Sequence, residues 1–292
     1  MNQFIFFLVS GAALGALYGL LALGFVIIFK ATEVLNFAQG ALVVFGALVV
    51  ARLAVWNFWA ALAIGLVATV MLALGIERFL VRSLVGRSVL SATILTIGVD
   101  IVMVTVARTE VGTDIIPLRD PWGNTLVTSL NFPLSRIIAL FVAVGIAGAF
   151  FAWLKWSSWG IAFRAATERR EVAALMGINL SRLGSVSWAL AGALAVVAGV
   201  FLTTFPSPGV SLDLGSTVLV AFAAAVIGGI DSPHGAVVSG LFVGILQVLS
   251  QAYLEGGVLG GGFHEVLPWL LMILVLLVRP AGLFGHVGVT RA

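Results

Sequence analysis

Apolar runs of membrane-crossing length recur along the chain. They cover about 4–29, 37–54, 58–76, 89–107, 134–154, 183–203, 215–230, 235–252 and 266–278. A hydrocarbon core about 30 Å thick takes about 20 helical residues. The runs are continuous rather than alternating, and rich in Leu, Ala, Val and Gly, so the period of a barrel strand does not fit them. Backbone groups in lipid must be satisfied internally, which leaves a helix bundle. The pattern predicts an all-α membrane protein, a polytopic helix bundle of about eight or nine transmembrane segments. These form a single domain over 1–292. Segments 215–230 and 235–252 are short or Gly-interrupted, and one of them is expected to be broken or re-entrant.

Composition sharpens this picture. Hydrophobic residues make up 61% of the chain and charged residues 9%, with a mean hydropathy of +1.20. Soluble domains carry about 25% charged residues, so a water-soluble surface is excluded. Cysteine is absent, which removes disulfide, thiolate and Cys-metal chemistry. No Lys or Arg precedes the first apolar run, and that run reaches Phe29. It is longer than a signal h-region and is expected to be a retained span. The net charge of +3 comes from residues between spans, so it reports orientation rather than nucleic-acid binding. With the N-terminus outside, 11 of the 15 Lys and Arg fall inside, Arg87 and Arg291 among them. Arg52, Arg108, Arg119 and Arg136 fall outside. The expected topology has a periplasmic N-terminus and a cytoplasmic C-terminus. Loop 108–133 carries Gly112, Pro117, Pro121, Gly123, Asn124 and Pro133, which is turn chemistry rather than another span.

Chemistry of its own is hard to find in the chain. It has no phosphate-cradling G-x-x-x-x-G-K-[ST] loop, its two lysines being Lys30 and Lys155. His234, His264 and His286 are far apart, and no carboxylate set has metal or glycosidase spacing. An enzyme acting alone does not fit. The inside loop 155–182 is different. Thr167 could cap a short helix there, Val172, Leu175 and Met176 share one face, and Gly177 is a natural stop. Ser181 could cap the next span. Glu168, Arg169 and Arg170 lie on the exposed side. Two readings are open: a helix lying on the headgroups, or a docking helix for a soluble partner.

Within the spans, Gly11, Gly15 and Gly19 repeat at four-residue spacing and suit close helix packing. Gly235, Ser239, Gly240 and Gly244 make a similar small-residue face. Asn36 and Gln39 stand at the start of the second span, suited to capping or to a zwitterionic ligand. Asp100 sits inside an apolar segment and shares a face with Thr93 and Thr96. A charge at that depth faces protein or water. This face lines a cavity or the subunit interface, or Asp100 belongs to a structural pair with an Arg or is a protonated, hydrogen-bonded carboxyl.

Five stretches resemble the high-affinity branched-chain amino acid permeases of ABC importers. They are Arg164-Ala165-Ala166 with Ala173 through Asn179, Asn36 through Gly40, Ala189 through Ala195, Ala221 through Ile230, and Arg279 through Gly285. They occur in the family's order and cover most of the chain. The resemblance implies a bacterial inner-membrane permease subunit for branched-chain or related amino acids or small amides. A second permease subunit, usually a paralogue, would pair with it. Two cytoplasmic ATPase subunits would bind the ATP and Mg, and a periplasmic binding protein would deliver substrate. The chain itself would hold no cofactor or metal. Arg164, Ala165, Val172, Ala173, Leu175, Met176 and Gly177 would couple to the ATPases. Asn36, Gln39, Thr93, Thr96 and Asp100 would contribute to the pathway, as would spans 37–54, 89–107 and 215–252. Asp231, Pro233 and His234 depart from the family's usual small residues. The competing expectation is a secondary transporter or channel for a small polar solute, with Asp100 near the midplane.

Overall fold

The computed structural model describes residues 2–84, 89–112, 115–122, 125–127, 132–206, 209–211, 213–254 and 261–285. Arg87, Gly123, Asn124, His286 and Arg291, used above for orientation, turn and metal arguments, lie outside them.

The first apolar run becomes one long helix, α1 (Asn2–Thr32). It stands at the centre of the bundle and is buried almost throughout below Ser10. Around it come α2 (Gln39–Leu53), α3 (Phe58–Gly75), α4 (Val89–Val111), α5 (Leu134–Trp156), α6 (Ser158–Glu168), α7 (Arg170–Leu175), α8 (Leu180–Leu202), α9 (Leu214–Gly228), α10 (Pro233–Leu254) and α11 (Phe263–Val278). Six of these helices are long and apolar enough to cross a bilayer, and α2, α9 and α11 are shorter apolar helices of 15, 15 and 16 residues. The chain is a multi-pass helical membrane protein.

The structure corrects the expectation for 215–252. Segment 235–252 lies in an unbroken 22-residue helix: its glycines serve close packing, Gly240 and Gly244 against α1 and Gly235 against Gly228 of α9, rather than interrupting the backbone. Only α9 of that pair is short. The long loop before α5 contributes one small antiparallel pair, β1 (Leu126–Val127) with β2 (Phe132–Pro133). A bridge between Ile116 and Val210 ties the same loop to the α8–α9 connection.

Glycine sets the main interface. A Cβ at Gly15 would lie 2.5 Å from the Leu241 carbonyl oxygen and 2.7 Å from its Cα. At Gly11 it would lie 2.7 Å from Ile245 Cα. At Gly19 it would lie 3.1 Å from Val237 O. From the other side, Gly240 and Gly244 face Gly19 and Gly15. The ridge on α1 and the Gly240–Gly244 pair on α10 are therefore the two halves of one backbone-to-backbone contact, while Gly235 and Ser239 turn to Gly228 and Ala224 of α9. Tyr18 adds a hydrogen bond across it, its hydroxyl donating to Gln247 Oε1 at 2.9 Å.

A π-helical turn, Ile76–Val81, prolongs α3. It buries Glu77, whose carboxylate pairs with Arg82 at 2.9 Å and accepts from Ser185 Oγ at 3.1 Å. This small polar knot fastens the end of α3 to the start of α8.

Candidate functional site

The loop 155–182 folds as two helices rather than one. Ser157 begins α6 by accepting the Gly160 N–H at 2.9 Å. Thr167 does not cap a helix start; its hydroxyl donates back to Arg164 O near the end of α6. α7 begins at Arg170 without a side-chain cap. Ser181 does not cap α8 either. Asn179 does, accepting the Arg182 N–H at 3.0 Å. Asn, like Ser, offers a short acceptor at this position, and the one nearer the turn is used.

Gly177 ends α7 with φ +83°. The Gly177 N–H reaches Ala174 O and the Ile178 N–H reaches Ala173 O, each at 3.0 Å. That is the double bond pattern of a glycine-terminated helix, which satisfies the last carbonyls and fixes the exit. Four anchors hold the pair of helices. Ala173 and Phe163 are buried. Trp153, Trp159 and Phe163 stack in series at 4.5 and 5.1 Å. Arg164 donates to Leu154 O. Arg170 donates to Ala31 O at 3.0 Å, reaching the end of α1. Held this way, α7 leaves Leu175 88% and Met176 79% exposed, with Val172 beside them about half exposed. Ala165 and the Arg164 side chain are also on the surface.

The residues expected in the pathway meet at the start of α2. Between α1 and α2 the chain runs through a buried, non-helical stretch whose backbone donors need partners. α4 supplies them. Thr96 Oγ1 accepts the Phe37 N–H at 3.1 Å and donates to backbone carbonyls, Leu35 O at 3.0 Å among them. Asp100 Oδ1 accepts the Ala41 N–H at 3.1 Å. Asp100 thus does for α2, from a neighbouring helix, what a local capping residue does elsewhere. The local cap position is Ala38, with no side-chain acceptor.

Asn36 and Gln39 have a different task from capping. Asn36 Nδ2 donates to Gln39 Oε1 at 3.2 Å, and Gln39 Nε2 donates to Ala191 O on α8 at 3.2 Å. Both are fully buried. Thr93 is half-buried on the same face of α4, and its carbonyl accepts from Thr96. The opposite side of α4, with Ile94, Ile97, Ile101, Val102 and Val106, is exposed. The polar contacts fasten α4 to the bundle together with buried Ala92 and Ala107 and partly buried Leu95, Val99 and Met103.

Around the departures at 231–234 one contact is to backbone, which any residue there would supply, and another is made by the His234 ring. Lys30 Nζ donates to Asp231 O at 2.7 Å. Pro233 is the first residue of α10, where a missing N–H costs nothing. His234 stacks on Phe151 of α5 at 4.2 Å. Next to them, the segment after α11 folds back: the Leu283 and Phe284 N–H groups donate to Ile227 O and Gly228 O, the last carbonyls of α9. No cluster of His, Asp or Glu among the described residues could hold a metal.

Comparison with known proteins places the molecule. Residues 7–276 match the family described as branched-chain amino acid transport system / permease component. The high-affinity branched-chain amino acid transport system permease protein LivH of Escherichia coli K12 is 31% identical over 98% of this chain and 97% of its own length. LivH of Salmonella typhimurium is 30% identical over the same shares. BraD of Pseudomonas aeruginosa is 27% identical over 96% of this chain and 95% of its own. No solved structure matches. A helical multi-pass fold and a family match over nearly its whole length lead to one conclusion: the chain belongs to the family of branched-chain amino acid transport permease components.

Proposed function

We propose that this chain is the membrane-spanning subunit of an ATP-driven importer for branched-chain or related small amino acids. It forms half of the translocation pathway and hydrolyses nothing itself. A second permease subunit completes the pathway, two ATPase subunits carry the ATP and Mg, and a binding protein brings the substrate. The membrane is the bacterial inner membrane. The N-terminus lies on the periplasmic side, because this orientation puts the basic α6–α7 loop in the cytoplasm.

One observation carries the reading. α7 presents Val172, Leu175 and Met176 to the outside of the fold. The same helix is pinned by Ala173, by Gly177 and by the Arg170 bond to α1. An apolar patch on a rigidly held short helix, with Arg169 and Glu171 beside it, is built for a groove in a soluble partner. The bond from Arg170 to Ala31 gives a push on that helix a direct route into the central helix. Asp100 has a structural task, since one of its oxygens accepts the Ala41 N–H of α2.

Deleting 165–176, or replacing Leu175 and Met176 with Asp, tests the docking role. The expected outcome is that ATPase subunits no longer co-purify with the assembled, membrane-inserted permease. Undiminished co-purification after either change would refute it.

A further inference from the structure

Arg136 is a cation with no obvious counter-charge. It lies in the first turn of α5, half-buried. Its Nη1 donates to Ser10 Oγ at 2.6 Å. Its Cζ sits 5.3 Å from the Phe6 ring centroid and 5.7 Å from that of Phe205. No carboxylate stands within ion-pair distance of it among the described residues. Guanidinium has five N–H donors in a fixed fork, so most of them remain available. The side chain lines a cavity of about 330 Å³ between the ends of α1, α5 and α10. The other walls are mainly apolar, with Phe7, Leu14, Phe205 and Val248 among them and the exposed Gln251 as a further polar group.

The level of this cavity in the bilayer follows from α1. Ser10 and Lys30 are twenty residues apart on one helix, about 30 Å at 1.5 Å per residue. That matches the thickness of the hydrocarbon core. Lys30 is bonded to the Asp231 carbonyl at one boundary, which leaves Ser10 and Arg136 at the other. A half-buried guanidinium at the boundary, without a carboxylate partner among the described residues and beside an apolar hollow, matches an amphipathic oxyanion whose charge lies at headgroup level and whose tail runs into the core.

We infer that Arg136, with Ser10 and Gln251, forms a binding site for the phosphate of a membrane phospholipid, with an acyl chain against Phe7, Leu14 and Val248. Anionic headgroups are preferred, because Arg136 is the one charged side chain among the described residues lining the site. A soluble oxyanion shares the phosphate chemistry but has no tail for the apolar wall.

Native mass spectrometry of the assembled transporter, released from nanodiscs of equal parts phosphatidylglycerol and phosphatidylcholine, tests this. The intact protein is expected to retain phosphatidylglycerol selectively. R136Q should reduce retention about tenfold, the size of one lost charge-assisted hydrogen bond. R136K should recover part of it. V248W fills the hollow while leaving the guanidinium in place, and should also release the lipid. Each variant's thermal midpoint reports that it is folded. Equal retention in folded R136Q and V248W would overturn the inference. So would displacement of the lipid by millimolar leucine or inorganic phosphate, which would assign the site to a soluble oxyanion.

Discussion

Replacing Gly15 with Ala puts the packing of α1 on α10 under a direct test. The new Cβ would lie 2.5 Å from Leu241 O and 2.7 Å from Leu241 Cα. Favourable carbon contacts begin at about 3.5 Å. Both neighbours are backbone atoms, so no side chain can rotate away, and the helices must part by about 1 Å. A gap of that size forfeits a quarter to a half of each dispersion well, and wells are about 0.1–0.2 kcal/mol deep. Over about thirty atom pairs along the contact, the loss is about 2 kcal/mol, inside the usual range for an overpacked core. Alanine returns about 1 kcal/mol of helix propensity.

Gly148 on α5 supplies the control, because nothing lies within 4 Å of the position its Cβ would take. G148A gains the propensity without the clash. The two variants should therefore differ by about 2 kcal/mol, or about 5 °C in thermal midpoint for a chain of this size. Fluorescence-detected melting of the purified protein in one detergent reads the difference. G15A melting level with G148A, or above it, would refute the close-contact account.

Other outcomes follow from the polar contacts. D100N keeps an oxygen that accepts the Ala41 N–H, so it should retain assembly and transport. D100A should lower stability by about 1–3 kcal/mol. Equal stability of D100A and the parent in melting experiments would remove Asp100 from the capping role. E77A should unfasten α3 from α8 at a cost of about 1–3 kcal/mol, because it leaves Arg82 and Ser185 without their shared acceptor; an unchanged melting midpoint would argue against the knot. G177A forces a Cβ into positive φ and should cost about 1 kcal/mol. Its readout is weaker ATPase co-purification with the membrane fold intact, and full co-purification would show that the exit geometry of α7 is immaterial.

The apolar segments were legible because length and hydropathy are local properties. So was the α1 ridge, since three glycines four residues apart can only share a face. What the ridge touches was not legible, because Gly240 and Gly244 are more than two hundred residues away. The same limit hid the role of Asp100. Its partner is a backbone N–H 59 positions earlier, and a backbone donor leaves no mark in a side-chain pattern. One signal was present: Thr96 and Asp100 at four-residue spacing on an otherwise apolar helix point to a neighbour with unmet backbone needs. Cap assignments at Thr167 and Ser181 failed for a smaller reason. Each stretch offers several short polar residues, and only the backbone dihedrals choose among Ser157, Thr167, Asn179 and Ser181. The partners of the other polar residues were equally hidden: Asn36 and Gln39 bond to each other and to Ala191 O on α8, about 150 positions away.

The two ways α1 and α4 are attached have unequal tolerance for movement. The α1–α10 contact is interlocked: sliding by one residue would bring Leu14 or Ala16 to the place now open only to glycine. Its register is unique, and the pair can turn or translate only as a single spar. α4 is joined instead by a few directional bonds to the unwound start of α2 and by an apolar seam that includes Ala92, Leu95, Val99 and Met103. Its own Gly98 has nothing within 4 Å of the place a Cβ would take. Absent side chains fix the register of this molecule's spine, and no comparable glycine contact fixes that of α4.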